Sequence, residues 1–155
     1  MPTIEIKTLI KADLKTCFDL SRNIDFHQQS LKHSKEKAIA GKTSGLIELG
    51  ESVTWEATHF GIKQRLTSKI TDFQSPNYFV DEMVSGSFKS FRHEHIFTNL
   101  GNNKTEMIDK FHFKSPFGIL GKVAEALFLS RYMTNLLITR NTLLKQKAEE
   151  LSGNE

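Results

Sequence analysis

The sequence has few of the residues that would point to a special environment or an extended binding surface. Its 155 residues include one cysteine, Cys17, so an internal disulfide is excluded and we expect a reducing compartment, by default the cytoplasm. No apolar run approaches the roughly 20 residues that a membrane span needs. The net charge is only +3, and Glu36 interrupts the lysines at 32, 35 and 37, so we expect no nucleic-acid partner.

What the sequence does contain is enough for one folded domain. The composition is 38% hydrophobic and 25% charged, which is typical of globular proteins. A chain of this length buries roughly two thirds of the surface of its unfolded form and needs no disulfide or metal to stabilise a core. We expect a single domain over residues 1–155, acting as a monomer or a homodimer.

The first third of the chain predicts one strand and two short helices. Residues 3–10 alternate between apolar and polar side chains, as a half-buried strand does. Asp13 stands where a helix N-cap would, before apolar residues spaced three and four apart as far as Ser21. A second short helix, capped by Asn23 or Asp25, is predicted to run through Leu31. The periodicity then fails, and we predict a mobile loop over residues 32–50 with a possible short strand at 46–49.

The rest of the chain predicts a sheet followed by a long helix. Five segments alternate with a period of two, at residues 53–60, 63–71, 78–85, 89–98 and 105–114. Short glycine- and asparagine-bearing turns join them, which indicates an antiparallel meander. An apolar helical pattern follows from Ile119 to about Leu151 and reaches roughly 45 Å. We predict an α+β fold, in which a curved antiparallel sheet wraps around this helix and leaves a cavity between them.

The order of these elements, together with one stretch of sequence, carries a family resemblance. The stretch runs from Phe79-Val80-Asp81-Glu82-Met83 through Gly86-Ser87-Phe88-Lys89 to Phe91-Arg92-His93-Glu94-His95. Over roughly residues 3–150 the chain resembles the SRPBCC superfamily of helix-grip proteins, and within it uncharacterised bacterial ligand-binding members. That superfamily includes START domains, Bet v 1-like proteins and polyketide cyclase-like proteins. The resemblance implies a pocket between sheet and helix, and no catalytic residue or cofactor.

Two histidines are the main candidates for chemistry in such a pocket. Alternation places Phe91, His93, His95 and Phe97 on one face of their strand, and Asp109 on the apolar face of the next strand. A hairpin at residues 100–103 brings one of the histidines opposite Asp109 within a residue or two of register. Such a His–Asp pair is able to move a proton on a bound ligand. We favour the alternative, a buried hydrogen-bond network that shapes the cavity or orients a ligand, because no third catalytic element is identifiable.

A metal site is a weaker interpretation of the same histidines. His93 and His95 lie on one side of a strand, and His59 or Asp109 would have to supply a third ligand. Any pair of residues two apart in a strand shares a side, so we predict no metal and no cofactor. Cys17, among apolar neighbours on a helix, is predicted to be a packed thiol and not a nucleophile.

The predicted pocket residues come from the inward-facing rows of the sheet and from the long helix. Parity does not decide whether Asp81 or Glu82 faces inward, and the resemblance favours Asp81. The full set of predicted ligand-binding residues is Trp55, His59, Leu66, Asp81, Met83, Phe91, His93, His95, Phe97, Asp109, Phe111, Leu127 and Met133.

Three functions remain open on the sequence alone. The leading hypothesis is the binding of a hydrophobic small molecule that is lipid-, polyketide- or isoprenoid-like. The alternative is an enzyme of the cyclase, dehydratase or hydrolase type that uses the His–Asp pair as general acid and base. A third hypothesis is a partner-binding module with a filled core and an exposed apolar patch.

Overall fold

A curved antiparallel sheet of seven strands packs against one long helix. The computed structural model describes residues 3–114 and 122–153, with side chains in the last helix from Leu127 onward. The strands are β1 (Thr3–Ile10), β2 (Lys37–Gly41), β3 (Ser52–His59), β4 (Ile62–Gln74), β5 (Tyr78–Ser85), β6 (Ser90–Gly101) and β7 (Lys104–Lys114). The helices are α1 (Leu14–Ser21), α2 (Ile24–Ser30) and α3 (Lys122–Gly153), with a short 3-10 turn at Lys32–Ser34. The predicted α+β architecture is confirmed.

The strand order in the sheet is β1-β7-β6-β5-β4-β3-β2, and all neighbours are antiparallel. Strands β2 to β7 therefore form a meander, while α1 and α2 carry the chain from β1 at one edge to β2 at the other. Tight turns make the hairpins possible. Phe60 and Gly61 between β3 and β4, and Asn102 and Asn103 between β6 and β7, all have positive φ, as type I′ turns require.

Side-chain caps begin both short helices. The carboxylate of Asp13 accepts hydrogen bonds from the backbone N–H of Thr16 at 3.0 Å and from its hydroxyl at 2.6 Å. The amide oxygen of Asn23 accepts from the backbone N–H of Phe26 at 2.9 Å. Of the two caps predicted for α2, the structure uses Asn23. These bonds satisfy N–H groups that the first turn of a helix cannot pair.

The segment 32–50 differs from its prediction as a loop. Residues Lys37–Gly41 form the edge strand β2, which pairs with β3, and the predicted strand at 46–49 is reduced to a single bridge between Leu46 and Asn23. Strand β2 is short and mostly exposed, so it has no buried face to impose alternation. The predicted helix start at Ile119 lies outside the described residues.

The core consists of two clusters of buried side chains. We call the densely packed one the solid end and the one formed mainly by phenylalanines the aromatic end. At the solid end Phe18 packs edge to face against Phe73, Phe79 and Phe97, and Leu144 of α3 lies in the same cluster. At the other end Phe91, Phe111 and Phe113 pack beneath Leu137. Cys17 is fully buried at the solid end, where burial raises the pKa of its thiol to about 11, as expected of a packed cysteine.

Candidate functional site

A cavity of about 410 Å³ lies between the sheet and α3. Its wall is mostly apolar, with Trp55 from β3, Leu66 from β4, Phe91 from β6 and Met133 from α3 among the lining residues. At one end the ring of Tyr132 from α3 packs at a tilt against Phe60 of the β3–β4 turn, and its hydroxyl makes a hydrogen bond with the ring of His59. The sheet, the helix and the turn therefore all border the cavity.

A cluster of polar side chains forms one part of this wall. Asp81 from β5, His93 and His95 from β6, and Arg140 from α3 all line the cavity. Asp109 of β7 lies behind the histidines and is fully buried. We call these five residues the polar cluster.

The two imidazoles of the polar cluster lie between its two carboxylates. His93 donates from Nε2 to Oδ1 of Asp109 at 2.8 Å, and His95 donates from Nε2 to Oδ2 of Asp81 at 2.7 Å. The remaining ring nitrogens face the opposite carboxylates at longer distances. His93 Nδ1 lies 3.9 Å from Asp81 Oδ2, and His95 Nδ1 lies 3.4 Å from Asp109 Oδ1. The rings stack on each other with centroids 3.8 Å apart.

Asp109 is held from the helix side as well. Asn141 donates from Nδ2 to Asp109 Oδ2 at 2.7 Å, and Arg140 Nη1 lies 3.5 Å from Oδ1. Arg140 also donates to the carbonyl and hydroxyl oxygens of Ser21 on α1. Burial raises the pKa of Asp109, but the hydrogen bond from His93 and the charge of Arg140 outweigh it and leave the pKa below its usual range. Asp109 is therefore an anion that links sheet and helix.

His95 is the more deeply buried imidazole, and only 2% of its surface is exposed. Its ring is stacked on Phe79 with centroids 4.0 Å apart. Burial, with the neighbouring His93, lowers the pKa of His95 to about 4, so the ring is neutral at pH 7. Among the described residues, no group makes a hydrogen bond with its Nδ1.

Nine of the predicted ligand-binding residues lie on the cavity wall. These are Trp55, His59, Leu66, Asp81, Phe91, His93, His95, Phe111 and Met133. Asp81 faces inward, whereas Glu82 lies 3.7 Å from Arg92 on the outer face of the sheet.

The other four predicted residues lie away from the cavity wall. Phe97 is at the solid end of the core against Phe18, because its strand extends beyond the cavity. Met83 packs against the aromatic end of the core, and the two histidines separate Asp109 from the cavity. Leu127 is 69% exposed near the start of α3. Alternation predicts the face that a residue occupies, but not how far along the strand the cavity extends.

Arg140, Asn141 and Tyr132 of α3 are missing from the sequence prediction. A signal for two of them was present. Arg140 and Asn141 stand three and four residues after Leu137, on the helix face that buries Leu137 and Leu144. A charged residue and an amide on an apolar helix face need buried partners, and Asp109 is that partner.

Three side chains of the polar cluster offer ligand atoms to a metal ion. Atoms of Asp81, His93 and His95 lie within 4.8 Å of one another, in the part of the chain that the structure describes. Neither residue suggested as a third ligand from the sequence is in that position. His59 bonds Tyr132 at the end of the cavity, and Asp109 faces the opposite nitrogens of the two rings.

Comparison with solved structures places this fold among known proteins. The Zhui aromatase/cyclase from Streptomyces sp. R1128 matches with a TM-score of 0.76 at 12% identity, over 96% of this chain and 93% of that chain. A START superfamily protein from Mycobacterium smegmatis matches with 0.71 at 12% identity, over 96% and 98%. Ginseng major latex-like protein 151 from Panax ginseng matches with 0.66 at 12% identity, over 95% and 97%.

The chain has the helix-grip fold that the sequence resemblance predicted. At 12% identity the likeness shows the fold but not the function, which has to be inferred from the residues of the site. No protein-family model matches the sequence, and no curated protein matches it either. Among the described residues, no helix combines the length and the apolar character that crossing a membrane requires.

Proposed function

We propose that the protein binds a hydrophobic small molecule, of a lipid-, polyketide- or isoprenoid-like kind, in the cavity beneath α3. The observation that carries the proposal is the cavity itself. Its volume of about 410 Å³ falls in the range of roughly 300–1,000 Å³ found for small-molecule sites. Its wall combines many apolar side chains with a few converging polar groups, which is the usual composition of such sites.

The polar cluster suggests what the ligand looks like. Asp81 is 21% exposed on the cavity side and is an acceptor, while the neutral ring of His95 has one donor and one acceptor nitrogen. Arg140 adds a buried positive charge at the same wall. A ligand with an apolar body and one hydroxyl, carbonyl or enol oxygen would match both the apolar wall and the polar cluster. The polar cluster would then orient the ligand.

The test uses two neighbouring residues of β4 that face opposite ways. Ser68 lines the cavity, whereas the hydroxyl of Thr67 contacts Thr54 on the outer face. Ser68→Phe places a ring in the cavity, and Thr67→Phe places the same ring outside. We expect saturable binding of the neutral probe 1-aminoanthracene by the parent chain and by Thr67→Phe, and at least tenfold weaker binding by Ser68→Phe.

The outcomes separate clearly. Absence of saturable binding by the parent chain contradicts the proposal, and so does equal affinity in Ser68→Phe. Circular dichroism shows whether each variant is folded. His95→Phe, which keeps a ring at the same position, is expected to change the selectivity between ligands with and without a polar group.

A second candidate function is an enzyme of the cyclase, dehydratase or hydrolase type. The observation in its favour is the His93–Asp109 pair, in which a buried carboxylate 2.8 Å away orients an imidazole on the cavity wall. It requires turnover of a cavity-bound substrate with a pH profile that changes in His93→Ala or His95→Ala. Turnover that stays unchanged in both variants rules this function out.

The third hypothesis, a partner-binding module, receives less support. It expects a filled space between sheet and helix, and the cavity of about 410 Å³ supports the small-molecule proposal instead.

A further inference from the structure

We propose that Asp81, His93 and His95 form a binding site for a divalent transition-metal ion, with Zn²⁺ as its simplest occupant. The ion would be held by a carboxylate oxygen of Asp81, by Nδ1 of His93 and by Nε2 of His95. Two ligand atoms about 2.1 Å from one ion are at most about 4.2 Å apart. The distances from Asp81 Oδ2 to the two nitrogens, 2.7 and 3.9 Å, fall within that limit, and all three ligand atoms lie within 4.8 Å of one another.

The hydrogen bonding of His93 supports this assignment. Its Nε2 donates to Asp109, so Nδ1 is the ring nitrogen left to bind an ion. Nδ1 lies 3.9 Å from Asp81 Oδ2, which is too far for a hydrogen bond. An ion between these two atoms would bind both.

His95 supplies a second and independent observation. Its Nε2 donates to Asp81, so its Nδ1 is a bare acceptor, buried and without a hydrogen bond among the described residues. A buried polar atom of this kind is costly. If an ion replaces the proton on Nε2, a proton can occupy Nδ1 and be donated to Asp109 Oδ1, now 3.4 Å away. Metal binding would therefore satisfy the unpartnered nitrogen.

The groups behind the histidines resemble the hydrogen-bond partners that orient the ligands of a metal site. Metal-ligating imidazoles usually donate their second N–H to a carboxylate or carbonyl, which fixes the ring and its tautomer. Asp109 is placed to accept from both rings, and Asn141 and Arg140 hold it in position. An ion would bind the imidazoles in their neutral form. With Arg140 offsetting one of the two carboxylates, one negative charge would then remain to balance the charge of the ion.

The donor set decides the class of ion. Two imidazoles and one carboxylate suit Zn²⁺, Fe²⁺ and related transition ions, whereas Mg²⁺ and Ca²⁺ prefer oxygen ligands alone. Three protein ligands leave coordination positions open toward the cavity. The inference goes beyond the proposed function, because it gives the polar oxygen of a cavity ligand an electrophilic partner, and the ion can bind without that ligand.

The experiment again compares neighbouring residues of opposite orientation. Asp81 faces the cavity, and Glu82 faces Arg92 outside. The full chain is stripped of metal and titrated with Zn²⁺ by calorimetry and with Co²⁺ by visible absorption. We expect one ion per chain, at least tenfold weaker binding in Asp81→Asn, and unchanged binding in Glu82→Gln.

A second readout tests His95 directly. In ¹⁵N-resolved spectra of the imidazoles, Zn²⁺ is expected to convert His95 from the Nε2–H to the Nδ1–H tautomer. The absence of stoichiometric binding, equal affinity in Asp81→Asn, or an unchanged His95 tautomer overturns the proposal. Binding of 1-aminoanthracene by the same metal-free samples tests the cavity separately. A failure of the metal site can therefore be distinguished from a failure of the proposed ligand binding.

Discussion

His93, His95 and the two carboxylates that they contact lie at the centre of the polar cluster, and single residues decide how stable this cluster is. Asp109 is the residue on which the others depend, since it contacts His93, Asn141 and Arg140 at once. Breaking a buried pair on one side leaves an uncompensated charge on the other.

Asp109→Asn should therefore destabilise the protein strongly. Removing the charge leaves the Arg140 guanidinium buried without its counter-ion, and we expect a loss of about 3 kcal/mol or more in the free energy of unfolding. Glu106→Gln is the control on the same strand, where the partner Lys7 is exposed and 3.9 Å away, and we expect a loss below about 1 kcal/mol. Urea unfolding measures both, and equal losses would contradict the role given to Asp109.

The low pKa of His95 predicts a pH dependence of stability. The folded protein resists protonation of His95 down to about pH 4, while the unfolded chain takes up the proton near pH 6.5. Stability should therefore fall as the pH is lowered from about 6.5 to about 4, by up to roughly 1 kcal/mol per pH unit. The lowered pKa values of Asp81 and Asp109 add a further decline from about pH 5 downward, where carboxyls of the unfolded chain begin to take up protons.

Urea unfolding at several pH values checks this window. His95→Gln should flatten the decline between pH 6.5 and 4. Burial also lowers the pKa of His59, so His59→Gln serves as the comparison for a histidine outside the polar cluster. A decline equally steep in His95→Gln and in the parent chain would show that other groups cause it.

The sequence predicted some residues of the polar cluster but not all of them. Strict alternation in β6 identifies the row that contains His93 and His95, and the short hairpin brings Asp109 to the neighbouring strand. The partner carboxylate of His95 is on β5, and neither parity nor spacing distinguishes Asp81 from Glu82. Which ring nitrogen faces which carboxylate depends on side-chain rotation, which no sequence pattern encodes.

At the scale of elements, α3 has two halves with different surroundings. Its C-terminal half, with Leu144 and Ala148, packs into the solid end of the core. Lys145 and Glu149 also bond the backbone of Leu9 and Lys11 at the end of β1. The half that contains Met133 and Leu136 covers the cavity instead.

Truncating a leucine in each half should give different losses of stability. Leu144→Ala removes contacts on all sides, and we expect a loss of about 3–5 kcal/mol in the free energy of unfolding. Leu136→Ala removes a side chain that borders an existing cavity, and we expect about 2 kcal/mol or less. Equal losses would indicate that the space beneath α3 is filled in solution.

Helices and strands with one buried face were predictable from the sequence, whereas the exposed strand β2 was not. The five alternating strands of the meander and the long helix follow from periods of two and 3.6, which arise because one side of each element is buried. Strand β2 is mostly exposed and is fixed by its pairing with β3. Its formation depends on a neighbour distant in the sequence, so the local pattern carries no trace of it.

At the scale of the whole molecule, the order of elements predicts the fold, while the packing decides how much space remains inside. Several strands pair with register shifts, as at residues 67–68 and 70–72 of β4, and such irregularities bend a sheet. A strand pattern does not show where these shifts occur. The presence of a cavity was therefore predictable from the architecture, and its extent was not.

Filling the cavity with a ligand should stabilise the folded protein. A ligand that binds only the folded state adds about 2.7 kcal/mol to the free energy of unfolding at a concentration 100 times its Kd. We expect 1-aminoanthracene to raise the Tm of the parent chain in a concentration-dependent manner. Ser68→Phe should reach the same increase in Tm only at a probe concentration at least tenfold higher. A response of the same size in both would place the probe elsewhere on the protein.

The attachment of α3 by Arg140 and Asn141 has a consequence for how a molecule reaches the interior. These residues fix the helix to Ser21 and Asp109, while the turns from Leu129 to Leu136 line the cavity. We expect outward displacement of those turns to separate Tyr132 from Phe60, which it now contacts, and to leave the anchored part of the helix in place. Backbone amides at 129–136 should accordingly exchange with deuterium faster than those at 141–148, and ligand should slow the first group more than the second.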